Sequence, residues 1–120
     1  MRGGTTARKM RGEPRADFAQ RFRARLVVVD GPAAGSELAL EGERVLVGRG
    51  EEADLVLADD SLSKLHALFL RTPSGHQVQD LESANGTWLN GVRTEIAELH
   101  ADDRIGVGEH VLHYVVDPLT

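Results

Sequence analysis

At 120 residues, with 41% hydrophobic and 28% charged side chains, the chain has the size and composition of one globular domain. It contains no cysteine, so a disulfide framework, a thiol nucleophile and a thiolate zinc site are excluded, and only His, Asp and Glu remain as metal ligands. The net charge of −5 divides unevenly: the first 25 residues carry eight basic side chains against Glu13 and Asp17, which is +6 and leaves −11 on the remainder.

The basic segment lacks hydrophobic periodicity and reads as a disordered arm over residues 1–24, with the acidic remainder as the folded body. Within the arm, Ala16–Arg25 has marginal helical character, with Phe18 and Phe22 one turn apart, and the two rings suit docking onto the body or onto a partner. A body at −11 lacks the many Lys and Arg contacts that duplex binding requires, so no specific nucleic acid is expected. The longest apolar runs, Leu26–Val29 and Val111–Val116, fall far short of the ~20 residues of a membrane span, and the N-terminus has no apolar signal segment. A cytoplasmic protein without membrane contact is expected, and the Ala, Arg and Gly content points to a bacterial source.

From Arg25 onward short apolar stretches recur every eight to twelve residues between turn residues, the spacing of an all-β sandwich. The predicted strands are Arg25–Asp30, Ser36–Leu40, Arg44–Val47, Leu55–Leu57, His66–Arg71, Gln77–Leu81, Thr87–Leu89, a strand opening at Val92, Arg104–Val107 and His110–Val116. Asn90-Gly91 marks a hairpin, because a type I′ turn needs positive φ at both central residues. Glu95–Leu99 is given one helical turn at most. Ten or eleven strands result, in two sheets whose loops at one end carry the function.

Three polar loops are large for the strands around them: Gly48–Asp54, Asp59–His66 and Glu82–Thr87. Together they offer the fixed donor fork of Arg49, the short donors Ser61 and Ser63, the mobile charge of Lys64 and the donor–acceptor pair of Asn85, a set suited to a phosphate and a peptide backbone. Ser63 with His66 also has the residue types of a nucleophile and base, but no third member and no G-x-S-x-G elbow accompany them, and no catalytic residue is assigned. His100, His110 and His113 gather late in the chain, yet 110 and 113 fall on opposite faces of a strand, so no metal site and no cofactor are expected. Gly48-Arg49-Gly50 lacks the Lys-Ser/Thr ending of a nucleotide-binding loop. Asp80 reads as a turn acid, and Trp88 as a structural aromatic of the sandwich.

Gly48-Arg49, Ser63-Lys64-Leu65-His66, Asn85-Gly86-Thr87 and Asn90-Gly91, in this order and spacing, resemble the forkhead-associated (FHA) domain over residues 25–117, with 118–120 as a tail or the start of a linker to a larger regulator. The resemblance implies an eleven-stranded, FHA/SMAD-like β-sandwich that binds phosphothreonine peptides and recruits a phosphorylated partner in Ser/Thr kinase signalling, as a monomer and without enzymatic activity. It assigns Arg49 and Ser63 to the phosphate, Lys64 to a further contact, Asn85 to the peptide main chain, and His66, Gly48, Gly86, Thr87, Asn90 and Gly91 to support of the site. At Ala84 the family often carries Thr, Ser or Arg, so a side-chain donor is missing beside the phosphothreonine. This departure keeps open the alternative, a phosphate-independent interaction or oligomerisation domain on the same fold that uses another face of the sandwich. Glu51, Glu52, Asp59 and Asp60 surround the site with negative charge, which would select ligands with basic residues near the phosphothreonine. Thr5 and Thr6 in the arm are candidate phosphorylation sites, through which an upstream kinase would let the arm compete for the loops.

Overall fold

Strands β1 (Phe22–Asp30), β2 (Glu37–Ala39), β3 (Arg44–Gly48), β4 (Leu55–Val56), β5 (Ala67–Thr72), β6 (Gly75–Asp80), β7 (Thr87–Leu89), β8 (Val92–Thr94), β9 (Ile96–Glu98), β10 (Arg104–Val107) and β11 (His110–Pro118) follow a single helical turn, α1 (Phe18–Arg21). They come from a computed structural model that describes residues 18–119. One sheet has the order β2-β1-β11-β10-β7-β8 and the other β4-β3-β5-β6-β9. This is the eleven-stranded sandwich expected from the sequence.

Alternation decides which side of each strand is buried. In β1, Ala24, Leu26 and Val28 face inward while Arg23, Arg25 and Val27 face out. β11 answers with His110, Leu112 and Tyr114. Across the core stand Val45, Val47, Leu55, Ala67, Phe69 and Val78 of the second sheet, and the loop residues Leu57 and Leu62 close the end that bears the polar loops. Asn90 and Gly91 adopt φ of 50° and 86° and join β7 to β8, as the hairpin signal required. Asn90 does more than turn the chain, since its side chain donates to Asp103 Oδ1 (3.0 Å) and accepts from the Arg104 N–H (2.9 Å).

Two elements depart from the sequence reading. Glu95–Leu99, given a helical turn at most, contains strand β9, which pairs with β6 from Gln77↔Glu98 to Gln79↔Ile96. Edge pairing to an existing sheet overrides the weak local preference of Glu and Ala. The boundary expected at Arg25 falls inside β1, which starts at Phe22 because Phe22–Arg25 pair with Pro118–Val115 of β11.

Among the described residues of the segment expected to be marginally helical, 18–25, only Phe18–Arg21 are helical. That turn is held by tertiary contacts: the Phe18 N–H donates to Pro73 O (2.8 Å), and the Phe18 ring lies 5.2 Å from Phe22 and edge-on to His76 at 5.6 Å. His76 Nδ1 in turn meets the Tyr114 hydroxyl at 2.8 Å. These two Phe rings therefore dock onto the body, at the end of the sandwich away from the polar loops. The arm residues Thr5 and Thr6 lie outside the described residues.

Candidate functional site

The loops after β3 and before β5 lock together through their backbones. Arg49 N–H donates to Ser63 O and Gly50 N–H to Lys64 O, each at 3.0 Å, and His66 N–H donates to Val47 O at 2.9 Å. The approach is so close that a Cβ on Gly48 would stand 2.0 Å from Lys64 O. Glycine at 48 is therefore a steric requirement. The exposed Arg49 side chain is braced as well, its Nε donating to Leu62 O at 3.0 Å. That single bond fixes the guanidinium while its four Nη hydrogens remain for an incoming acceptor.

His66 is fully buried and bonds on both sides. The Ser63 N–H donates to Nδ1 (3.1 Å), so the ring proton is on Nε2, from which it reaches Gly86 O at 2.8 Å. One imidazole thus ties the Ser63 loop to the Asn85 loop, the bracing role that the resemblance implied. Ser63 Oγ does not bond to His66; it accepts the backbone N–H of Ala84 at 3.0 Å. No base sits on this hydroxyl among its hydrogen-bond partners, and its proton stays free to donate.

The third loop is organised by Asp80. Its Oδ1 accepts from Ser83 Oγ (2.5 Å) and Thr87 Oγ1 (2.7 Å), and its Oδ2 from the Ser83 N–H (3.2 Å). Burial pushes the carboxyl up, but the Ser83 and Thr87 hydroxyls and the Ser83 N–H outweigh it and hold Asp80 below the ordinary carboxylate range. Ser83 Oγ then accepts the Gly86 N–H at 2.9 Å. Gly86 turns with φ of 89°, and Asn85 projects outward, one amide hydrogen donating to Ser61 O at 2.8 Å. Its Oδ1 and second N–H have no hydrogen-bond partner among the described residues. Trp88 lies outside this constellation: 39% exposed, it donates weakly to Asn85 O (3.3 Å) and carries the Arg93 guanidinium over its ring at 6.0 Å.

The sequence-predicted residues Arg49, Ser63, Lys64, Ala84 and Asn85 therefore gather at one end, with Gly48, His66, Gly86 and Thr87 behind them. Asn90 and Gly91 do not join them; they support the fold from the β7–β8 turn. One expected neighbour behaves differently. Asp59, counted among the acidic groups facing the site, is 6% exposed and its oxygens are fully engaged. Burial raises it, but bonds from Ser61, the Glu109 N–H and His110 override this and keep it ionised well below the ordinary range. Its charge is spent inside the protein, so of the four acids expected around the site Glu51, Glu52 and Asp60 remain exposed, with Asp54 and Glu82 as further exposed acids of these loops. Among the described residues no cluster of three metal-ligating side chains forms, and no helix is long and apolar enough to cross a membrane.

Asp80 is the turn acid that the sequence suggested, but sequence reasoning missed its bond to Thr87, the organising roles of Ser83 and Ser61, and the Asp59–His110 contact. A local signal existed for Asp80, since an Asp three residues before a Ser at a loop start favours a side-chain turn. No local signal exists for a pair separated by 51 residues.

Two sheets with this order, and an Arg, a Ser and an Asn presented from three loops at one end, define a sandwich of the FHA class. Residues 27–117 match the family described as the inner membrane component of T3SS, cytoplasmic domain, which is related to FHA domains. An oxoglutarate dehydrogenase inhibitor of Corynebacterium jeikeium is 36% identical over 92 residues, covering 77% of this chain and 64% of that protein. A solved FHA domain from a structural and functional analysis of phosphothreonine-dependent FHA domain interactions superposes with a TM-score of 0.75 at 27% identity, covering 81% of this chain and 99% of that one. Mycobacterium tuberculosis EmbR, solved with a low affinity phosphopeptide, superposes at 0.73 and 25% identity over 82% of this chain and 25% of its own. The chain belongs to the FHA family.

Proposed function

We propose that this protein is a non-enzymatic, phosphothreonine-dependent binding module that recruits a phosphorylated partner downstream of a Ser/Thr kinase, acting as a cytoplasmic monomer with no nucleic-acid or membrane ligand. The observation that carries this reading is the state of the donors. Arg49 has its Nη hydrogens free, Ser63 has its acceptor side occupied by Ala84 N–H and its proton free, and Lys64 is exposed with no ion pair among the described residues. Such a set suits a group of charge −1.5 to −2 with three acceptor oxygens. An unmodified threonine hydroxyl offers neither the charge nor the acceptors, so affinity follows phosphorylation. Asn85, held by Ser61 O, presents one acceptor and one donor to the peptide main chain.

Ala84 lacks a side-chain donor but keeps the backbone N–H that supports Ser63, a contact any residue except proline would make. The phosphothreonine-dependent FHA domain and the phosphopeptide complex of EmbR support this reading.

Titration with a degenerate phosphothreonine peptide pool, against phosphoserine and unphosphorylated pools, tests the proposal. Binding should be confined to phosphorylated peptides. Loss of two charge-assisted bonds, about 1.5–3 kcal/mol each, should lower the affinity of Arg49→Ala about 100-fold or more. Equal binding of the unphosphorylated pool, or undiminished binding by Arg49→Ala, would refute it.

A further inference from the structure

Beneath the candidate site lies a buried His–Asp pair that the phosphate-reading set does not include. His110 Nδ1 stands 2.9 Å from Asp59 Oδ2, with the two side chains only 1% and 3% exposed. The Ala33 N–H donates to His110 Nε2 at 3.1 Å, which puts the ring proton on Nδ1 and points it at the carboxylate. Asp59 Oδ2 also accepts the Glu109 N–H (2.9 Å), and Oδ1 accepts both the N–H (2.9 Å) and the hydroxyl (2.5 Å) of Ser61. The Ser61 carbonyl then receives the Asn85 amide at 2.8 Å. An unbroken chain of bonds therefore runs from the β1–β2 loop, through the first residue of β11, to the side chain that faces the peptide.

The packing leaves this arrangement no slack. A Cβ on Gly31 would fall 2.6 Å from His110 Cδ2, and one on Gly108 would fall 2.6 Å from Ser61 Oγ and 2.7 Å from Asp59 Oδ2; both glycines have left-handed φ, 103° and 57°.

We infer that His110 and Asp59 are positioning residues for peptide recognition, fixing the Ser61 carbonyl and through it the rotamer of Asn85 before ligand arrives. The inference rests on the phosphothreonine reading of the site. Asn85 is exposed and would otherwise sample several rotamers that binding must freeze. Four donors converge on one ionised carboxylate, so Ser61 is held at two of its own atoms and its carbonyl direction is set. His110 supplies a second donor to Asp59 Oδ2, beside the Glu109 N–H, and it links this loop to β11.

A double-mutant cycle on phosphothreonine-pool affinity tests this, with His110→Phe and Asn85→Ala alone and combined. In the wild type Asn85→Ala is expected to weaken binding about tenfold, and in the His110→Phe background less than about threefold, because the pre-set rotamer is already lost. His110→Asn, which keeps an amide donor where Nδ1 stands, should restore most of the Asn85 effect. If His110→Phe does not fold, His110→Gln, which moves the donor away from Asp59, replaces it. Equal Asn85→Ala losses in both backgrounds, within about twofold, would overturn the inference. In the unliganded protein, the Asn85 side-chain amide resonances should collapse toward solvent-exposed values in His110→Phe; unchanged resonances in the folded variant would overturn it too. Absence of phosphopeptide binding by the wild type would sink the functional reading alone, with the amide resonances still deciding the positioning.

Discussion

Gly48→Ala is the sharpest single test of how the site is built. The added methyl would lie 2.0 Å from Lys64 O, 2.7 Å from Lys64 C and 3.1 Å from Leu65 Cα, all of them backbone atoms that no rotamer change can clear. Reaching even 3.0 Å requires the two loops to part by at least 1 Å. The bonds Arg49 N–H to Ser63 O and Gly50 N–H to Lys64 O, now 3.0 Å each, would then be lost or badly stretched. Overpacking of this kind costs about 1–3 kcal/mol and two backbone bonds about 0.5–1.5 kcal/mol each, so destabilisation of about 2–6 kcal/mol is expected. That is a large part of the ~5–15 kcal/mol that stabilises a typical domain.

Urea unfolding measures this directly: the midpoint should fall with an unchanged slope, and phosphopeptide affinity of the folded fraction should drop about tenfold or more as Arg49 leaves Ser63. Two controls separate the causes. Gly50→Ala meets its first neighbour, Lys64 Cβ, at 3.1 Å and should cost much less. Gly35→Ala has left-handed φ (101°) with nothing within 4 Å, so it carries only the backbone penalty of about 1–2 kcal/mol. A Gly48→Ala protein within about 0.5 kcal/mol of wild type that still binds phosphopeptide would refute the steric argument.

His66→Phe keeps the ring volume but orphans the Ser63 N–H and Gly86 O, and should destabilise by about 2–5 kcal/mol in a thermal melt; a smaller loss would mean that the two loops do not depend on the imidazole. His76 predicts an acid-sensitive stability. Burial, with the nearby Arg71 charge, pushes its imidazole down to about 4 from 6.5, so between those values the unfolded chain binds the extra proton. The contribution is fully present above pH 6.5 and is lost as pH falls toward 4, amounting to about 3 kcal/mol. Asp59 and Asp80 are also depressed, but from 3.8, and so act below this window. Denaturant midpoints from pH 7.5 to 4 should show the slope in the wild type and lack it in His76→Phe; equal slopes would remove His76 as the cause.

How much of this was legible in the sequence depends on how local each signal was. Leu26, Val28, Leu112 and Tyr114 show period-2 burial that any pairing partner preserves, and Asn90-Gly91 encodes its turn in two adjacent residues. The strands they define could be read without knowing the sheet order. Strand β9 could not, because Ile96 is the only strand-favouring residue of Ile96-Ala97-Glu98, and the segment becomes a strand by pairing with Gln77–Gln79 of β6. The start of β1 was hidden for a related reason: Phe22–Arg25 looks like the end of a basic arm until Val115–Pro118 is laid beside it.

The site divides along the same line. Residues proposed to meet the ligand must carry particular chemistry at the surface, so Arg49, Ser63, Lys64 and Asn85 stand out as residue types in order. What holds them in place is made of contacts between loops distant in the chain. Asp59 illustrates the consequence. Read as an exposed acid, it would repel phosphate and bias the site toward basic peptides; buried against Ser61, Glu109 and His110, it works in favour of binding by stiffening the loop. The acidic field that remains, from Glu51, Glu52, Asp54, Asp60 and Glu82, is exposed and screened by salt over about 8–10 Å. It should therefore modulate peptide preference at low ionic strength, whereas the buried Asp59 carboxylate, screened far less by salt, bears on how firmly the loops are held.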